Sequence, residues 1–76
     1  MIYGTKLLES DIELLTAALT QTPVLVWSLD QLGVYFQVDS GIVLRYSPDH
    51  VKLRRLDDST KTLIYPRESC EFSIQY

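Results

Sequence analysis

His50 is the only histidine in the chain, and it follows Asp49 in the stretch "SPDHV". An Asp-His pair can orient an imidazole for proton transfer. No serine or cysteine nucleophile can be set beside it by spacing, and a working site needs several such parts held together. The expectation is an ordinary turn histidine. Cys70 is the only cysteine. Its strand phase points it inward, where a thiol behaves as a small apolar group. One His and one Cys cannot supply a structural zinc set. Asp30, Asp39, Asp49, Asp57 and Asp58 all fall in expected turns, where an Asp side chain bonds the turn backbone. None lies in a loop with the spaced acids and central glycine of a calcium site. Neither catalysis nor a metal or other cofactor is expected.

Basic residues are more suggestive. "VKLRRLDD" places Arg54 and Arg55 side by side where strand alternation calls for an apolar residue. One extra residue at this pair, a β-bulge, would restore Leu56 to the inner face. In the same register Arg45 lies directly across from Lys52, with Arg54 nearby. Facing like charges repel mildly, and an anion or an acidic partner would relieve them. Val26, Tyr35 and Val43 are expected on that same outer face, with Val24 and Gln37. The candidate partner-binding surface is therefore Val26, Tyr35, Val43, Arg45, Lys52 and Arg54. The plain alternative is a solvated face on which long basic stems cover the valines.

These side chains must be positioned by the elements around them. "SDIELLTAALTQTP" reads as one helix over about residues 11–21. Ser10 and Glu13 form a capping box, and Pro23 ends the segment. Ile12, Leu15 and Leu19, widened by Leu8, Leu14 and Ala18, make its apolar stripe. Residues 1–9 read as a short strand or a lead-in turn. From Pro23 onward the period is two. A three-residue loop Asp39-Ser40-Gly41, with Gly41 in the left-handed conformation, closes one hairpin. Further turns at residues 47–50, 57–60 and 66–69 are expected to pair Tyr46 with Val51, then Val51 with Tyr65 and Leu53 with Leu63, then Tyr65 with Cys70 and Leu63 with Phe72. The expected inner row is Trp27, Phe36, Leu44, Leu53, Leu63 and Phe72, and the last strand carries Cys70, Phe72, Ile74 and Tyr76 on one side. The fold class is α+β: one N-terminal helix packed on a six-stranded antiparallel meander over about residues 24–76, all in one small domain. A partly closed small barrel is the alternative.

Composition bounds the function. Apolar residues make up 46% of the chain and charged ones 22%, a globular balance. Ten acidic against seven basic residues give a net charge of −3, which disfavours nonspecific nucleic-acid binding. The longest apolar run, Pro23 to Trp27, is too short to span a membrane. A lone cysteine and no leader pattern suggest a cytoplasmic protein of prokaryotic or phage-like economy. The expected function is a non-enzymatic interaction or adaptor module, binding another protein or a second copy of itself through the outer sheet face or an edge strand. Rival expectations are a nucleic-acid binder using Tyr35, Arg45, Lys52 and Arg54, a small inhibitor of a larger target, and a pocket protein using Trp27, Tyr46 and Tyr65.

Overall fold

The computed structural model describes residues 4–75. Strand β1 (Thr5–Leu7) precedes helix α1 (Asp11–Leu19), and five strands follow: β2 (Val24–Leu29), β3 (Tyr35–Tyr46), β4 (His50–Arg55), β5 (Thr62–Pro66) and β6 (Cys70–Gln75). The helix starts where the sequence says it should. Ser10 Oγ accepts from the Glu13 backbone N–H at 3.3 Å, and Glu13 Oε1 accepts from the backbone N–H groups of Ser10 and Glu9. Two free amides of the first turn are thereby satisfied. Gln21 takes a left-handed φ of 55° just past the helix, and Pro23 follows.

All strand pairings are antiparallel, in the order β1-β6-β2-β3-β4-β5, and the sheet does not close into a barrel. The meander runs only from β2 to β5. The expected pairs Tyr65 with Cys70 and Leu63 with Phe72 do not form. Instead β6 inserts between β1 and β2, where Val26 meets Phe72 and Ser28 meets Cys70. That position gives β6 a neighbour on both sides and buries Phe72 in the core. Tyr76 lies outside the described residues.

A second correction concerns Asp39-Ser40-Gly41, which is not a turn. Tyr35–Tyr46 is one long strand, pairing with β2 over its first half and with β4 over its second. Gly41 lies where the two halves meet, opposite both Val24 and Arg55, and it does not have a positive φ. Its value is space: a Cβ there would sit 2.5 Å from the Arg54 carbonyl oxygen. Glycine permits this close approach of two backbones.

Among the described residues, this strand also carries both irregularities of the sheet. Val26 pairs with Asp39 but Trp27 with Gln37, so Val38 is an extra residue. Val43 pairs with Leu53 but Arg45 with Lys52, so Leu44 is another. The expected bulge at Arg54–Arg55 is absent; it lies on the neighbouring strand. Val51 opposite Tyr65 and Leu53 opposite Leu63 are paired as anticipated.

Each bulge shifts the inward phase by one residue. The buried core is therefore Val24, Val26, Val43, Val51, Leu53 and Phe72, covered by Leu8, Leu14 and Ala17. Of the expected inner row, only Leu53 and Phe72 are buried; Phe36 and Leu44 are 47% and 42% exposed. Trp27 is only partly buried. Its indole N–H donates to Ser73 Oγ at 2.7 Å, giving a fully buried hydroxyl its partner. The helix is turned as well. Leu14 and Ala17 face the sheet, where the small alanine allows close packing, while Ile12, Leu15 and Leu19 are exposed.

Candidate interaction surface

The six residues expected to form one contact face do not do so. Val26 and Val43 are 0% and 2% exposed, part of the core cluster that Leu14 and Ala17 of the helix cover. Neither can touch a partner without unfolding the core. Tyr35 opens β3 and Arg45 nearly ends it, so ten strand steps, about 30 Å if straight, separate the aromatic ring from the basic groups. The hairpin that would have brought them together does not exist. Arg45 does face Lys52 across β3–β4, and Arg54 lies opposite Ile42 and Thr62 with its guanidinium 3.5 Å from Gln21 Oε1. Among the described residues, ion pairs with carboxylates are made instead by Lys6, Arg55 and Arg67.

Arg54 and Arg55 are split by simple strand alternation. Arg55 turns toward Asp57, donating through Nε and Nη2 at 2.8 and 2.9 Å, and lies 3.9 Å from Asp39. The Tyr65 hydroxyl donates to Asp39 Oδ2 at 3.1 Å. The sheet therefore coils enough for β5 to reach back to the first half of β3. Burial, and then the bond to the Asp39 carboxylate, push the Tyr65 phenol above its ordinary range. It stays protonated at neutral pH and serves as a donor, not a base. The Asp57 carboxylate holds the Arg55 guanidinium more firmly protonated, with Asp39 adding to it. Asp58 is lowered by bonds from the Thr60 hydroxyl and backbone N–H, as befits a turn aspartate. His50 is exposed, and its backbone N–H donates to Ser47 Oγ. Cys70 is a half-buried free thiol opposite Ser28. No group of three metal-capable side chains gathers among the described residues.

The most distinctive surface was not anticipated. β6 flanks β2 only from Leu25 to Ser28, and β4 meets β3 only from Gly41 onward. The chain from Leu29 to Val38 thus extends as a two-stranded ribbon beyond its neighbours. Its tip is well built. Asp30 Oδ1 accepts from the N–H groups of Leu32 and Val34, and Gly33 takes a φ of 81°. Leu29, Leu32, Val34, Phe36 and Val38 are all exposed, Leu32 to 88%. Asp30 is the only charged residue in these ten positions. That lack of charge in "LDQLGVYFQV" was the available sequence signal. Beside the ribbon lies a cleft of about 230 Å³, lined by Gln37, Val38, Asp39, Ser40, Arg55 and Leu56 among others.

A second groove, about 280 Å³, runs between α1 and the β1–β6 side, with Leu8, Ile12, Ala17 and Ile74 on its walls. Lys6 and Glu13 flank it as an ion pair at 3.8 Å. Glu13 is held below the usual carboxylate range, first by the backbone N–H of Glu9 and then by the Ser10 hydroxyl.

No described helix is long and apolar enough to cross a membrane. Comparison with protein-family models, curated proteins and solved structures finds no match to this chain.

Proposed function

We propose that this chain is a non-enzymatic protein-interaction module that acts through the β2–β3 ribbon and the adjoining free edge of β3. The observation that carries this reading is five exposed large apolar side chains on a ribbon with one charge. Apolar side chains clustered on a projecting element are unfavourably hydrated, and burying them in a contact lowers the free energy. The tip is not loose: the Asp30 carboxylate and the Gly33 turn fix its shape, so little order is lost on binding. Arg45, Lys52 and Arg54 lie apart from this surface and far from Tyr35, which opens β3, so the stacking aromatic expected beside them is not there.

The test is site-specific photo-crosslinking of the full chain in the cells that express it. A photoreactive residue at Leu32 should give discrete protein adducts, and one at Lys61 should give none. Absence of adducts at Leu32, or equal labelling at both positions, would contradict the reading.

A further inference from the structure

We infer that the partner on the ribbon is a second copy of this chain, joined edge to edge through β3 about a two-fold axis at Phe36. The inference rests on the interaction reading above and names its partner.

Hydrogen-bond phase is the first ground. The Asp30 N–H donates to the Val34 carbonyl at 2.9 Å. Bonded and non-bonded pairs alternate along an antiparallel ladder. Counting on through Leu29 opposite Tyr35 and Ser28 opposite Phe36, the backbone groups of Phe36 point to β2. Those of Tyr35 and Gln37 point the other way. No described strand lies on that side, since β4 pairs with β3 only from Gly41 onward. An antiparallel copy centred on Phe36 sets Tyr35 opposite Gln37 of the second copy. Both pairs then exchange their outward N–H and C=O groups. Phe36 falls directly against Phe36 of the second copy in a non-bonded pair, where side chains come closest. Val34 falls toward Val38 of the second copy. The pattern is self-complementary, as a two-fold contact requires.

Charge is the second ground. A chain of net charge −3 repels its own copies unless they meet on a neutral patch. In the proposed pairing no charged residue opposes another. The sheet's outermost strands are blunted in ways that β3 is not. β1 has three residues and contains Lys6. β5 ends in Pro66, with Lys61 just before it and Arg67 just after.

Area is the third. The exposed parts of Val34, Phe36, Val38 and the adjoining Leu56 amount to on the order of 300–400 Å², against about 800 Å² per partner in a standard interface. With the strand backbones added, this suits a weak, micromolar dimer.

Sedimentation velocity over a concentration series is the first test. The wild-type chain should shift from monomer toward dimer between roughly 1 and 500 μM. Gln37→Pro removes an outward N–H without touching the bonds to β2, and it should weaken dimerisation more than tenfold while leaving the circular dichroism unchanged. Register is tested in a Cys70→Ser background. Phe36→Cys should form a disulfide-linked dimer under mild oxidation, and Tyr35→Cys, whose opposite number is Gln37, should not. A wild-type chain that stays monomeric at 1 mM overturns the inference, as does a dimer unaffected by both Gln37→Pro and Phe36→Glu. If Leu32 cross-links to a different protein while the chain remains monomeric, self-pairing fails and the interaction reading stands. If neither contact forms, both fail.

Discussion

Gly41→Ala is the sharpest probe of the long β3 strand. An added Cβ would lie 2.5 Å from the Arg54 carbonyl oxygen, 3.1 Å from its carbon and 3.2 Å from Leu53 Cβ. The first is nearly an ångström inside ordinary contact, and the blocking atom is backbone, so a side-chain rotation cannot relieve it. Strands β3 and β4 must part, at a residue that also pairs with Val24 in β2. Leu53 and Val24, both fully buried, move with them. Overpacking of this kind costs about 1–3 kcal/mol, and a backbone obstacle puts Gly41 at the upper end. For a domain this small that is a large part of a total stability of about 4–11 kcal/mol. The melting temperature should fall by roughly 10–20 °C. Thermal and urea unfolding followed by circular dichroism at low protein concentration would measure it. Gly41→Asn should be at least as damaging, because asparagine gains nothing where φ is not positive. A Gly41→Ala protein that melts within a few degrees of wild type, or an asparagine variant clearly milder than alanine, would refute the mid-strand account and restore the turn.

Val26→Ala should cost about 2–3 kcal/mol in urea unfolding, while Phe36→Ala in the dilute monomer should cost no more than about 1 kcal/mol, reversing the order that simple alternation predicts. Trp27→Phe leaves the buried Ser73 hydroxyl without its donor and should cost about 1–3 kcal/mol; adding Ser73→Ala should recover part of that loss, and a strictly additive double-mutant cycle would deny the coupling. The folded-state pKa of Tyr65 is raised, so its stabilising share is complete below the unfolded value of about 10 and disappears as pH rises through the folded value. Tyr65→Phe should therefore be less stable than wild type at neutral pH, with the gap closing in alkaline solution; a gap that stays constant to pH 12 would argue against the bond to Asp39.

Local chemistry was the legible part of this fold. The Ser10–Glu13 box and the registers of Tyr46 with Val51 and Val51 with Tyr65 follow from nearest-neighbour preferences, and the structure contains all of them; the helix itself ends at Leu19, with Gln21 left-handed, before Pro23 is reached. Gly41 shows why the rest was hidden. A glycine after Asp-Ser suits a left-handed turn and also suits a strand crossing close to another backbone; only the position of Arg54 distinguishes the two. Bulges at Val38 and Leu44 leave no local mark, yet each reverses the inward phase of all that follows. Phe36, opposite Ser28 and so on the face of Val26, is exposed because β6 and β4 flank the sheet only as far as Ser28 and Gly41. The insertion of β6 beside β2 is a nonlocal choice, made by where Phe72 can be buried. Helix α1 offered two apolar faces, and the sheet took the one with Ala17, which admits the closer approach. For the same reason the six residues expected on one face do not share it, because Val26 and Val43 were read as outward from phase and are buried. The neutral ribbon could have been found from charge alone.

Amide hydrogen exchange at Tyr35 and Gln37, measured by NMR against protein concentration, tests the central claim directly. In dilute monomer both amides should exchange rapidly, because they point away from β2 with no described strand beside them, while the Phe36 amide between them is protected. At high concentration Tyr35 and Gln37 should gain protection in step with dimer formation, and Gln37→Pro should abolish that gain at Tyr35. Protection of Tyr35 and Gln37 already present in the dilute monomer would mean that the β3 edge is covered from within. Rapid exchange that persists at every concentration would mean that no second copy pairs with it.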